Sequence, residues 1–166
     1  MSESRKRLMA RILLFAVFLL LSYILQGLVL NRRSIFGANP LILPLVTAAA
    51  AIFYGRVTGG AVGIACGFLM DLAYNQPTIM FTLTLTFVGI TVGYLVETVL
   101  VKGLFSYCVS ALAALFICFS VEAVSYLIWG GAPAAAVLDV GIRQTAASAL
   151  FAVPVYYVAL GISKLV

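Results

Sequence analysis

Six long apolar runs, separated by very short segments, leave this chain few folds to choose from. The runs cover 12–30, 35–54, 57–74, 78–101, 103–129 and 134–165 of the 166 residues. Each is long enough to cross a bilayer as a helix, which takes about 20 apolar residues. Because no separator has room for a soluble domain, we predict an all-α polytopic membrane protein with one transmembrane domain, 1–166, of six helices in one bundle.

The composition agrees with that prediction. Hydrophobic residues make up 64% of the chain and charged residues 9%, whereas soluble domains carry about 25% charged residues. The first run is too long for the apolar region of a signal peptide and no small-residue cleavage site follows it, so we expect it to be retained as a helix.

Basic residues set the expected orientation. Segment 1–11 carries four of them, which by the positive-inside rule places the N terminus in the cytoplasm. Six crossings return the C terminus to the same side and leave seven basic residues inside: Arg5, Lys6, Arg7, Arg11, Arg56, Lys102 and Lys164. Arg32 and Arg33 then lie outside. The net charge of +5 therefore indicates orientation and contact with anionic membrane lipid, not binding of nucleic acid.

Glycines mark one face of the third and fourth predicted helices. At about 100° per residue, the glycines of the third helix share an arc of roughly 80° with an aspartate. The fourth helix repeats this spacing and ends its stripe with Glu97. Small residues at such spacing let helices approach closely in a membrane. We therefore expect these two helices to form a central hairpin through Gly60, Gly63, Gly67, Gly89 and Gly93.

Ionisable residues inside the runs are the candidate site residues, because each costs at least ~2.5 kcal/mol at the bilayer centre. The predicted topology puts four of these residues in the outer half of the membrane, where we predict a pocket for a ligand or partner. They are Asp71, Glu122, Asp139 and Arg143. Asp139 and Arg143 have the spacing of an i, i+4 ion pair, while Arg143 is also a candidate partner for Glu122. Alternatively, the two aspartates lie at the water interface. Glu97 is expected to pair with Lys102 at the inner end.

Catalytic and metal sites are not indicated. The chain has no histidine, and its three cysteines fall inside the runs at no metal-ligand spacing. Ser125, three residues after Glu122, is the one faint candidate for a nucleophile beside a base. We predict a protein that is not an enzyme and has neither cofactor nor metal.

Prolines are expected to kink or break two of the helices. Pro40 and Pro44 fall in the first half of the second predicted helix, and Pro154 lies inside the sixth. In an alternative register, the sixth helix begins near Thr145 and leaves 134–144 as a short interfacial helix.

A dispersed set of residues resembles the rod shape-determining MreD family. These residues are Gln26, Gly37, Pro40, Gly60, Ala61, Gly63, Gly67, Phe68, Asp71, Leu72 and Pro77. The size and the six closely connected spans are also similar.

The resemblance implies a noncatalytic scaffold in the bacterial inner membrane. Such a protein binds MreC and helps to link MreB and peptidoglycan synthases in the elongation machinery that maintains cell shape. The family's fold is similar to the S components of vitamin transporters, which implies an outward-facing pocket. A substrate-binding S component is therefore the alternative function, although helix 12–30 lacks the small residues with which such proteins dock their coupling partner.

Overall fold

The computed structural model describes residues 3–30, 39–73, 79–99, 101, 103–129 and 133–165. Of these residues, 92% are helical and none lies in a strand, which confirms the all-α prediction. The helices are α1 (Glu3–Ile24), which continues into a wider π-helical turn (Leu25–Leu30), α2 (Leu43–Ala73), α3 (Met80–Thr98), α4 (Leu104–Trp129), α5 (Ala134–Ala149) and α6 (Ala152–Leu165).

Several of these helices are long and apolar enough to cross a membrane. Three qualify singly: Leu43–Ala73, Met80–Thr98 and Leu104–Leu127. The α5 and α6 helices meet at an angle of 40° and together form a fourth candidate, and α1 contributes a shorter apolar stretch, Ile12–Gly27. By length and composition, the described part of the chain thus has three or four candidate spans.

The α2 helix is interrupted at Gly55, where the chain turns back on itself. Its φ of 82° and ψ of −176° suit glycine but not residues with a side chain. A methyl group at Gly59 would lie 2.7 Å from the Cβ of Ala51, although eight residues of continuous helix rise about 12 Å. The helix therefore consists of a first arm, 43–54, and a second arm, 56–73, folded together. This turn falls between the second and third predicted runs.

The second arm of α2 packs against α3 with almost no side chain between them. A Cβ atom at Gly63 would collide with the carbonyl oxygen of Leu85, and one at Gly67 would collide with the backbone of Thr82. From the opposite helix, a Cβ at Gly89 would meet the backbone of Gly59. The glycine faces of the two helices thus lie in direct backbone contact.

The first arm of α2 forms the centre of the molecule, so the expected central position of the glycine hairpin is wrong, since much of 56–73 and of α3 is exposed. All residues from Leu43 to Ile52 are buried, and the arm contacts α1 through Tyr54, α4 through Leu45 and α6 through Phe53. The arm includes four consecutive alanines, 48–51, all with 0% exposure. From α4, the buried Tyr107 hydroxyl donates a hydrogen bond to the carbonyl of Leu45 at 3.3 Å. The first arm is therefore enclosed on every side by protein.

The two prolines of the second predicted run lie at the start of α2. The helix begins at Leu43, so Pro40 precedes it and Pro44 lies in its first turn, where a missing N–H costs no helical hydrogen bond. Of the predicted helix 35–54, residues 39–42 are not helical and residues 35–38 lie outside the described part of the chain, which is compatible with the expected break near these prolines.

The expected break in the last span is present. It separates α5 from α6 at residues 150–151, and Pro154 lies in the first turn of α6. Because α5 runs unbroken to Ala149, the alternative register with a helix start near Thr145 is not adopted.

We expect Gly63→Leu to destabilise the protein strongly, because its side chain would meet the α3 backbone, which cannot move aside. Overpacking of this kind costs about 1–3 kcal/mol or more. Thermal unfolding of the detergent-purified protein measures the loss. Gly161→Leu is the matched control, since a Cβ there meets nothing within 4 Å. Equal stability of the two variants would contradict the close packing.

Candidate functional site

Asp71 holds the start of α3. Its Oδ1 accepts a hydrogen bond from the Phe81 N–H at 3.0 Å, and its Oδ2 accepts from the Thr82 N–H at 2.9 Å and the Thr82 hydroxyl at 2.6 Å. The residue before α3, Ile79, has no capping side chain. A carboxylate at this position satisfies free N–H groups and complements the positive end of the helix dipole. Asp71 is thus a capping residue supplied by the neighbouring helix.

The start of α2 is held in a similar way by two other polar side chains. The Leu41 N–H donates to Ser148 Oγ at 2.7 Å. The N–H groups of Ile42 and Leu43 donate to Gln26 Oε1 at 2.8 and 3.1 Å. A helix that begins inside a bundle leaves N–H groups without partners, and these must be satisfied by neighbouring elements. The π-helical turn and α5 supply the acceptors here.

A cavity of about 310 Å³ lies between α4 and α5. Tyr126 and Val140, 46% and 50% exposed, lie at its rim, and Gln144, 7% exposed, lies at its base. The cavity is lined by Phe119, Glu122, Ala123, Tyr126, Ala136, Val137, Val140, Gly141 and Gln144. It is therefore a mainly apolar pocket whose lining includes the acid Glu122 and the amide Gln144.

Glu122 is the ionisable residue of this cavity. The Gln144 side chain lies beside its carboxylate. Its Oε2 atom is buried and has no hydrogen-bond partner among the described residues. The Gln144 backbone carbonyl accepts the Ser148 hydroxyl at 2.6 Å. Because Ser148 also holds the start of α2, a chain of polar contacts links the cavity to the centre of the bundle.

Asp139 and Arg143 form the i, i+4 ion pair that their spacing indicates. The Nε–Oδ1 and Nη2–Oδ2 distances are 3.1 and 2.9 Å. The two side chains are 58% and 53% exposed, so the pair lies on the outer surface of α5. Neither residue lines the cavity, and Arg143 is paired with Asp139 instead of Glu122.

The four predicted pocket residues therefore separate into three locations. Glu122 lines the cavity, Asp139 and Arg143 form a surface pair on the adjoining helix, and Asp71 caps α3. Gln144, Ser148 and Phe119 were missed by the sequence analysis. A glutamine and a serine in an apolar run are the only signal that could have indicated the first two.

Glu97 pairs with Arg56 across the turn of α2. Its Oε1 accepts the Arg56 N–H at 3.1 Å, and its Oε2 lies 3.5 Å from Arg56 Nε. A methyl group at Gly55 would lie 2.7 Å from the same Oε1. The predicted partner, Lys102, is outside the described residues. Glu97 therefore fastens the end of α3 to the turn at Gly55.

Glu122 is the acidic residue in the lining of the cavity. The Glu122 carboxylate contacts the Gln144 amide. In the part of the chain that the structure describes, no three cysteine or acidic residues come together as metal ligands.

Comparison with protein families, curated proteins and solved structures finds no match to this chain. The likeness to MreD thus depends on the residues quoted above.

We expect Asp71→Ala to lower the stability of the purified protein by about 1–3 kcal/mol, because it removes a charged acceptor from buried N–H groups. Asp139→Ala removes a carboxylate from an exposed pair and should cost less than about 1 kcal/mol. Thermal unfolding in detergent compares the two variants. An equal loss for both would contradict the capping role.

Proposed function

We propose that the chain is a noncatalytic scaffold of the bacterial elongation machinery in the inner membrane. In this proposal it binds MreC and helps to link MreB and the peptidoglycan synthases. The observation that carries the proposal is where the family-like residues lie. Gln26 caps α2, Asp71 caps α3, and Gly63 permits their close packing. The resemblance thus lies in contacts on which the helix arrangement depends.

The proposal includes six membrane crossings with both termini in the cytoplasm. The crossings are α1, the two arms of α2, α3, α4 and the bent pair of α5 and α6. The turn at Gly55 supports this count, because it makes two antiparallel arms from one helical segment. The distribution of basic residues supports the orientation.

The packing also restricts where a partner helix binds. The glycine faces are covered within the molecule, so they offer no surface to MreC. The Asp139–Arg143 pair, by contrast, is exposed on α5. Charged side chains facing lipid are costly, and they are usually covered by protein or reach the interface. We therefore place the partner contact on this surface of α5.

We expect Arg143→Ala to weaken MreC retention at least tenfold without preventing membrane insertion. The substitution leaves Asp139 unpaired at the contact surface and removes a donor to the partner. Gentle purification from the native membrane, followed by quantitative mass spectrometry, measures the retained partner, and microscopy measures cell shape.

Lys164→Ala is the control, since it removes a positive charge from the last turn of α6. Unchanged recovery of MreC and unchanged cell shape in Arg143→Ala would contradict the proposal.

A second function, the S component of a small-molecule transporter, is favoured by one observation. The α4–α5 cavity is of the size of a small-molecule site, for which the usual range is about 300–1,000 Å³. The same purification distinguishes the two functions, because an S component would be recovered with an ATPase-bearing energising module.

A further inference from the structure

The cavity between α4 and α5 combines an apolar rim with an incompletely satisfied acid at its base. Gln144 contacts the Glu122 carboxylate, but the buried Oε2 atom lacks a partner within the described chain. A buried carboxylate oxygen without a hydrogen bond is unfavourable. Because Oε2 itself is fully buried, an occupant would reduce this penalty through a positive charge placed beside the carboxylate.

The walls of the cavity favour a positive charge. Phe119 and Tyr126 lie three residues before and four residues after Glu122, so both aromatic rings share its face of α4. Aromatic faces attract cations, and the attraction increases where water is excluded. The positive side chain on the adjoining helix, Arg143, is already paired with Asp139 outside the cavity. No positively charged side chain lines the cavity among the described residues, so we expect the compensating charge to come from an occupant.

The shape indicates how that occupant is arranged. Its charged end must reach Glu122 at the base, while its apolar body contacts Val137 and Val140 towards the rim. The volume of about 310 Å³ suits a small molecule. We propose that the α4–α5 cavity binds a primary amine with an apolar body, with the ammonium group on the Glu122 carboxylate. This site is additional to the scaffold function and does not depend on it.

Octylamine is the probe, and the single tryptophan of the chain is the reporter. Trp129 lies seven residues after Glu122 on α4, about two helical turns away. The protein is reconstituted in phosphatidylcholine nanodiscs and titrated while tryptophan fluorescence is recorded. We expect a saturable change with octylamine, and at least tenfold weaker binding of octanol and octanoate, which lack the ammonium group.

Variants separate binding at Glu122 from partitioning into the bilayer. We expect Glu122→Gln to weaken octylamine binding at least tenfold. Asp139→Asn, which removes a carboxylate outside the cavity, should bind as the unchanged protein does. Tyr126→Leu retains the acid but loses an aromatic wall, and should weaken binding severalfold even if Glu122→Gln fails to fold.

The proposal is overturned if octylamine binds equally to Glu122→Gln and to the unchanged protein. It is also overturned if octanol binds as well as octylamine, which would indicate an apolar cavity without charge recognition. Neither result bears on MreC retention, so failure of the amine site is distinguishable from failure of the scaffold.

The natural amine can come from a lipid headgroup or from a soluble molecule, and the bilayer composition separates these sources. If phosphatidylethanolamine in the nanodisc competes with octylamine and weakens its binding, the proposal is supported and the natural amine is a lipid headgroup. If the octylamine affinity is unchanged in that bilayer, the proposal is supported and the natural amine is a soluble molecule.

Discussion

Backbone contact between the second arm of α2 and α3 determines the geometry on which the rest of the structure depends. Gly63 and Gly67 place this arm directly on the backbone at Leu85 and Thr82. Without hydrophobic force between helices in lipid, such close packing is a main source of helix association. Asp71 then caps α3 from the end of the same arm, and Glu97 joins the other end of α3 to Arg56. The hairpin is therefore fastened at both ends by acidic side chains.

Polar side chains in this apolar bundle have two different roles. Some complete the hydrogen bonding of helix ends: Asp71 does so for α3, and Gln26 and Ser148 do so for α2. Glu122 is different, because one of its oxygens is buried without a partner among the described residues and lies in a cavity. A buried acid that no helix end requires is more easily explained by binding than by folding. Burial alone does not distinguish these two roles. They are distinguished by whether each buried polar atom has a hydrogen-bond partner.

Much of this fold could be predicted from the sequence, through the lengths of its apolar runs and the spacing of its glycines and charged residues. Apolar runs predicted the helices, the repeated glycine stripes predicted which faces are free of side chains, and the four-residue spacing of Asp139 and Arg143 matches their ion pair. Contacts between distant segments were not accessible in this way. The acceptor for the Leu41 N–H lies 107 residues away at Ser148, and no local pattern encodes that distance. Likewise, Asp71 and Glu122 are both acids in apolar runs, and only the folded chain shows that one caps a helix and the other lines a cavity.

We propose that α2 crosses the membrane twice, with its turn at Gly55 on the cytoplasmic side. Labelling of single cysteines with a membrane-impermeant maleimide tests this most directly, in a background where the three native cysteines are replaced by alanine. We predict that Arg56→Cys is labelled only after the membrane is permeabilised, whereas Ile79→Cys is labelled from outside intact cells. Both positions are exposed in the structure. Labelling of Arg56→Cys from outside, or of both positions from the same side, would contradict the folded-back α2 and the six-span topology built on it.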